Sequence, residues 1–406
     1  MERIILHIDV NSAFLSWSAI KLLREGYPKD IRNEVAVIAG DPSKRHGVIV
    51  AASVPAKKLG IKAPTNLYEA RKIYRDLIVV KPEHKFYKYC SNLLINYLKS
   101  LFDKVEQFSI DECFIDYTEM KKIYGDEVKY ATFLKDSIYK KFGFTVNIGI
   151  GNNKLCAKMA SDFEKPNKVH TLYLNEFQKK VWDKDISELF MAGKSSCEKL
   201  RKLGINTIKD LATFDENILI SKLKSHGKLL HEYANGIDNS PINIDSYDEV
   251  KSIGYSKTLE FSTDDKNIIY DNLKRFSRDI EIKLKKRKLY ANVITVTIRD
   301  DYFKTVNHQE KLLNSIYKYE DIYERGKMLF NKLWDDEKIR LIGLSVSDLA
   351  SENNYQLSLF ENSKQINNKT TDDLIDKLNN TLGENVIFKG NKLERNDKNE
   401  NSISLK

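Results

Sequence analysis

Two neighbouring carboxylates, Asp111 and Glu112, interrupt Val105-Glu106-Gln107-Phe108-Ser109-Ile110-Asp111-Glu112-Cys113-Phe114-Ile115-Asp116, an apolar run that otherwise has the character of paired strands. An unpaired buried carboxylate is costly, so these acids must be solvated at a turn, paired with cations or bound to metal. Adjacent residues of a regular strand point to opposite faces, so both can reach one ion only at a hairpin tip or a strand end. A third acid lies near the amino terminus. There Ile4-Ile5-Leu6-His7-Ile8 is a short β-branched run leading through Asp9-Val10-Asn11-Ser12-Ala13-Phe14 into a helical pattern. Asp9 thus stands at the carboxyl end of a strand, with Asn11 or Ser12 placed to cap the helix. Three carboxylates on two strands, with oxygen donors alone and no His or Cys beside them, suit Mg²⁺ or Mn²⁺ rather than zinc.

The elements that must position these acids follow in order. A helix over 12–25 precedes strands over 34–39 and 47–53, and a short helix over 55–62 is closed by Gly60. Phe86, Tyr89, Cys90, Leu93, Leu94, Tyr97, Leu98 and Leu101 recur at helical spacing and predict a core-facing stripe. The strand pair around Asp111, a helix over 126–141 and a strand over 144–150 complete a ferredoxin-like order, which can hold Asp9 beside the Asp111 turn. Gly149 and Gly151 then open a helix over 155–163, either as a phosphate cradle or as a plain strand-to-helix turn. Residues 186–238 contain a hairpin at Ala192-Gly193-Lys194-Ser195, with a weaker second copy at His226-Gly227-Lys228. After a polar stretch over 239–250 come strands around 293–298 and 339–346, and eight Lys/Arg against two acids between Lys274 and Lys288.

His7-Ile8-Asp9-Val10-Asn11-Ser12-Ala13-Phe14 together with Ser109-Ile110-Asp111-Glu112-Cys113-Phe114-Ile115-Asp116 resembles the two catalytic motifs of the Y-family, DinB/UmuC-type lesion-bypass DNA polymerases (ImpB/MucB/SamB type). The likeness runs from residue 1 to about residue 350. It implies an α+β, multidomain right-hand polymerase. Its ferredoxin-like palm would span 1–19 and 82–174, its small fingers 20–81 and its helix-hairpin-helix thumb 175–240. A linker over 241–250, an α/β little finger over 251–350 and a tail over 351–406 would follow.

By the same resemblance Asp9, Asp111, Glu112 and the Val10 carbonyl hold two Mg²⁺ ions, with Mn²⁺ as a substitute, and Phe14 is the steric gate against ribonucleotides. Lys57 and Lys165 reach the nucleotide phosphates, although Lys57 stands where many relatives carry Arg and Val54 where they carry Tyr; Lys57 also reads as a solvated helix lysine. Gly193 and Lys194 would touch DNA at the hairpin, where Phe190-Met191-Ala192-Gly193 departs from the usual Pro-Gly-x-Gly. Lys285, Lys286 and Arg287 would follow the phosphate backbone and Arg340 the template. Gln356, Leu357, Leu359 and Phe360 resemble the peptide that docks on the bacterial sliding clamp. The implied partners are primer-template DNA, dNTPs and the clamp β subunit. Two rivals keep the fold but change the chemistry: a nucleotide cyclase, and a catalytically inactive DNA-binding scaffold.

Composition bounds these readings. With 406 residues the chain holds more than one domain, and 31% charged with 41% hydrophobic residues is the balance of a water-soluble protein. No basic-then-apolar leader and no membrane-length run occur, so the expectation is a cytoplasmic protein, acting as a monomer. Cys90, Cys113, Cys156 and Cys197 are too widely spaced for a zinc module or a disulfide scaffold. The net charge of +9 favours a polyanionic partner. The tail from Ser351 carries eight Lys/Arg against nine Asp/Glu, so the basicity belongs to the preceding body. The tail also holds twelve Asn, a composition that buries little.

Overall fold

The β-branched run at the amino terminus forms β1 (Ile5–Val10), all six of whose side chains are buried, as in a central strand covered on both faces. In the computed structural model, which describes residues 2–41, 43, 47–244, 250–352 and 378, β1 turns into α1 (Ala13–Arg24). The chain then builds a small layer from β2 (Ala36–Ala39), β3 (Ile49–Ala52), α2 (Val54–Lys58), α3 (Leu67–Ile73) and β4 (Ile78–Val80), with strand order β3-β2-β4. It returns through α4 (His84–Lys99), β5 (Val105–Gln107), β6 (Glu112–Asp116), α5 (Lys121–Tyr124), α6 (Glu127–Phe142), β7 (Val146–Gly151), α7 (Lys154–Ser161) and β8 (Val169–Leu172).

The main sheet has the order β5-β6-β1-β7-β8. Its first four strands are the ferredoxin-like arrangement expected from the element order. β8, paired parallel to β7, is an addition that periodicity did not reveal, because three of its four residues are only half-buried. The apolar stripe of α4 also differs from expectation. Tyr87 is fully buried with Cys90, Leu94 and Leu98, whereas Tyr89 is 56% and Leu93 40% exposed. At 100° per residue, 89 and 93 fall on the side of the helix turned away from the stripe that 87, 90, 94 and 98 define.

Gly149 and Gly151 serve packing. A Cβ on Gly149 would lie 2.0 Å from the Ala157 carbonyl oxygen, so only glycine lets α7 approach β7 this closely. The turn alternative therefore holds over the phosphate cradle.

A helical unit follows: α8 (Leu174–Val181), a 3₁₀ turn over Ile186–Glu188, α9 (Lys194–Arg201), α10 (Ile208–Thr213), α11 (Glu216–Leu223) and α12 (Ser225–Ala234). Gly193 is the N-cap residue of α9. The glycine missing from the hairpin pattern corresponds to Met191, which takes a left-handed φ of 70° in its place. That conformation strains a residue with a Cβ, and the half-exposed Met191 recovers little by packing. Met191→Gly should therefore stabilise the chain by about 1 kcal/mol, read as a higher denaturant midpoint at unchanged slope. The weaker second copy is the α11–α12 turn, formed by Lys224 at φ 60°. Gly227 lies inside α12, where a Cβ would come within 2.3 Å of the Leu219 carbonyl oxygen, so it is a packing residue.

The expected linker is fastened at its start. Arg3 Nη1 donates to the Ser240 carbonyl at 2.9 Å, the Asn243 N–H donates to Glu106 Oε2 at 2.8 Å, and Ile242 packs on Ile5, Phe114 and Ala157.

The C-terminal unit comprises β9 (Ser252–Thr263), α13 (Lys266–Arg287), β10 (Tyr290–Asp300), β11 (Thr305–Ile316), α14 (Tyr319–Leu333) and β12 (Ile339–Ala350), with strand order β11-β10-β12-β9. Ile253, Ile294, Val296, Ile342, Leu344 and Val346 alternate onto one face and bury against α13 and α14.

Candidate active site

β1 and β6 run antiparallel with Asp9 opposite Glu112, so backbone register brings together two acids that lie 103 residues apart in the chain. Asp111 sits one residue earlier, in the turn between β5 and β6. The Val10 N–H donates to the Asp111 carbonyl at 3.0 Å, and the N–H groups of Phe108 and Ser109 both donate to the Glu112 carbonyl, closing the turn. Both acids therefore occupy the strand end and hairpin tip that their adjacency demanded.

Their electrostatic surroundings differ. Burial raises Asp111 above the usual carboxylate range; the Ser109 hydroxyl, donating to Oδ1 at 2.7 Å, opposes this, while the charges of Asp9 and Glu112 add to it. Burial also pushes Glu112 upward, but His7 and Lys158 outweigh it and hold the carboxyl down at about 2. Lys158, 3.1 Å from Glu112 Oε1, is the firmer partner. His7 Nε2 lies 3.4 Å from Glu112 Oε2 without forming a hydrogen bond of normal geometry, and burial lowers the pKa of the imidazole against the opposing pull of Glu112 and Asp9. The Ser161 hydroxyl donates to the Lys158 carbonyl, so it accepts the proton of His7 Nδ1 at 2.8 Å.

The structure thus corrects the expectation of a site free of histidine, although the imidazole backs Glu112 from inside the core. His7 and Lys158 were both missed from sequence. The signals were available: His7 lies two residues from Asp9 on β1 and so shares its face, and Lys158 is four residues from Asp162 on α7.

Lys158 Nζ also lies 3.5 Å from both Asp9 Oδ2 and Asp162 Oδ2. Lys165 Nζ lies 2.8 Å from Asp9 Oδ2 and from Asp162 Oδ1. Burial would lower both ammonium groups, yet the surrounding acids raise them. With the carboxylates turned onto these lysines, no three acid, imidazole or thiol groups among the described residues already converge as a ligand set. The donor chemistry still fits hard divalent cations, because Asp9 and Glu112 are carboxylates now held by cations and Asp111 is a carboxylate held only by the Ser109 hydroxyl.

A cleft of about 260 Å³ opens beside the acids, lined by Asp9, Ser12, Phe14, Ala51, Lys57 and Asp111. A larger cavity, between Val128, Phe163, His170 and Lys184, contains none of the acids. Lys57 Nζ donates to Ser12 Oγ at 2.8 Å, and burial together with the nearby Lys165 charge lowers its pKa. Lys57 lines the cleft and remains exposed to solvent. Ser12 takes a left-handed φ of 46°, and its hydroxyl does not cap α1. Asn11 does not cap it either; its amide donates to Asn147 and its oxygen accepts the Asn167 N–H. The Phe14 ring stacks on Tyr87 at 4.6 Å and 10°, and the Tyr87 hydroxyl is held by Ser18 at 2.7 Å.

In the C-terminal unit, Lys285, Lys286 and Arg287 form the last turn of α13, where Lys285 pairs with Glu281 at 3.2 Å and the three charges complement the helix dipole. The Arg340 guanidinium lies 4.7 Å over the Phe303 ring. α13 and α14 cover one face of the C-terminal sheet and leave its opposite face to other contacts. That face presents registered rows of small polar residues, Gly254-Ser345-Thr295-Gln309 and Ser256-Gly343-Thr297-Asn307. Gln356, Leu357, Leu359 and Phe360 lie outside the described residues.

The impB/mucB/samB family pattern matches residues 8–162, which hold all three acids, and the family's C-terminal domain matches residues 250–359. This chain belongs to that family, the Y-family DNA polymerases. It is 42% identical over 400 residues to the DNA polymerase IV of Clostridium acetobutylicum, covering 98% of this chain and 100% of that one. It is 30% identical over 399 residues to DNA polymerase IV 1 of Bacillus subtilis, covering 98% and 94%. Its fold is similar to that of a Y-family DNA polymerase chimera, Dbh-Dpo4(243-245)-Dbh, with a TM-score of 0.74 over 86% of this polymerase and 24% identity. Among the described residues no helix is long and apolar enough to cross a membrane.

Proposed function

We propose that this chain is a DNA-directed DNA polymerase that extends primers across damaged templates by two-metal nucleotidyl transfer. The observation that carries the reading is the β1–β6 register, which sets Asp9 against Glu112, with Asp111 at the adjoining turn, beside a cleft lined by Phe14 and Lys57. Asp9, Asp111, Glu112 and the Val10 carbonyl would hold two divalent cations, Mg²⁺ or Mn²⁺. Such ions lower the pKa of a primer 3′-hydroxyl and neutralise charge on a triphosphate. Lys165, more exposed than Lys158, exchanges Asp9 for a phosphate oxygen when dNTP enters, and Lys57 gives up Ser12 for another. Phe14 lies under the sugar, where its ring meets a 2′-hydroxyl but leaves a deoxyribose untouched.

Gly193 and Lys194 offer the duplex a hairpin and helix start that bind phosphate without reading sequence. Lys285, Lys286, Arg287 and Arg340 add charge along the same DNA, and the open face of the C-terminal sheet admits a groove because its residues are small and polar. The protein works as a monomer in the cytoplasm and docks on the sliding clamp through Gln356, Leu357, Leu359 and Phe360, which raises its effective concentration at the primer end. Deleting residues 356–360 should remove stimulation by the clamp in a primer-extension assay while sparing clamp-free extension; stimulation that persists would remove the docking assignment.

The reaction itself is tested by primer extension with Mg²⁺ and dNTPs on intact and abasic templates. Extension past the lesion is expected. DNA binding with no extension on either template would favour the scaffold reading.

A further inference from the structure

We infer that Lys158 is a resident counter-ion of the acidic site, which keeps divalent cations weakly bound until a triphosphate arrives. The inference rests on the two-metal reading of Asp9, Asp111 and Glu112. Two lysines pair with these acids, Lys158 with Asp9 and Glu112 and Lys165 with Asp9, and their situations differ. The Lys165 side chain is 36% exposed and can swing out to a phosphate, whereas that of Lys158 is 11% exposed on a helix packed against the sheet. Its ammonium lies 3.1 Å from Glu112, and 3.5 Å from both Asp9 and Asp162. It cannot leave for solvent without uncovering buried carboxylates.

A divalent cation bound by Asp9 and Glu112 must therefore share them with a positive charge a few ångströms away, and like charges at that range repel strongly in a partly buried site. Asp162, half-exposed and four residues along α7, is the alternative partner toward which the ammonium retreats. A triphosphate supplies the negative charge that offsets both lysines, so cation and nucleotide each strengthen the binding of the other.

The test is Mn²⁺ binding to the full chain without DNA, read from the free-ion paramagnetic resonance signal, for wild type, Lys158→Met, Lys158→Arg and Asp162→Asn. Lys158→Met should bind Mn²⁺ on the order of tenfold more tightly without nucleotide. The gain in Mn²⁺ affinity on adding a non-hydrolysable dNTP should then shrink. Lys158→Arg should resemble wild type. Asp162→Asn, which removes the retreat and also releases Lys165 onto Asp9, should bind a few-fold more weakly. These opposite signs separate the proposal from simple structural damage, and the half-exposed Asp162 variant provides a test even if Lys158→Met fails to fold. Equal or weaker Mn²⁺ binding in a folded Lys158→Met, or tighter binding in Asp162→Asn, would overturn the role of Lys158. An Asp9→Asn/Glu112→Gln control isolates the underlying reading: Mn²⁺ binding unchanged in that double variant would show that these acids are not the metal site at all.

Discussion

Asp111→Asn should lower the rate of primer extension by about 10³-fold or more, roughly 4 kcal/mol of barrier, while leaving the fold at least as stable as wild type. The two halves of this result have one cause. Burial and the neighbouring charges of Asp9 and Glu112 raise the pKa of Asp111, so its ionised form is disfavoured in the folded protein. A carboxyl whose folded pKa lies above its unfolded value loses stability as pH rises through that interval. Asparagine keeps the shape and the Ser109 contact but removes the charge, so the repulsion disappears together with the metal ligand.

Glu112→Gln should lose activity to a similar extent but behave oppositely in stability. Its carboxyl is held at about 2, so its charge stabilises the fold above the ordinary glutamate range, and that contribution fades as pH falls toward 2. The amide would leave Lys158 under-compensated and cost about 2 kcal/mol, after allowance for partial exposure. Single-turnover extension and denaturant unfolding at neutral pH measure both quantities. Retained extension in Asp111→Asn would remove it from the metal site, and a stability loss matching that of Glu112→Gln would contradict the charge distribution described above.

Phe14→Ala should reduce discrimination against ribonucleotides by about 10²-fold or more, with little change for dNTPs. The ring does not hang freely in the cleft. It stacks in parallel on Tyr87, whose hydroxyl is held by Ser18, and meets His84 edge-on at 6.1 Å. A wall supported in this way cannot yield to a 2′-hydroxyl by a small rotation, so exclusion is steric rather than a matter of hydrogen bonding. Truncation opens the space under the sugar and costs about 2 kcal/mol of stability, less than for a fully buried Phe. Paired single-nucleotide incorporation with each dNTP and its rNTP supplies the ratio. An unchanged ratio, with the protein still folded, would place the gate on another residue.

Much of this site was legible before any coordinates because its decisive constraint is local. Two acids in an apolar strand context have few tolerable positions, and the turn at Ser109–Asp111 is one of them. The ferredoxin-like order was legible for the same reason, since its strands and helices carry strong periodicity. The α4 stripe was drawn too wide because Tyr89 and Leu93 are apolar yet exposed, and composition at one position does not say which side of a helix faces the core. Met191 shows a further kind of miss: a glycine was lost from the pattern, but the hairpin kept its left-handed residue and bears the strain.

From the sequence alone came the three acids, their likeness to a polymerase family, the order of elements and the basic body. Only the tertiary structure decided that Asp9 faces Glu112, that Lys158 lies among the carboxylates, and that the C-terminal sheet leaves a small, polar face uncovered. The physical reason is that ion pairing and strand register depend on residues far apart in the chain. Each of those residues, taken singly, has an ordinary local reading: Lys158 as one more helix lysine, and Ser345 and Thr295 as plain strand positions. Their roles exist only once packing has removed water from one side of them and left it on the other.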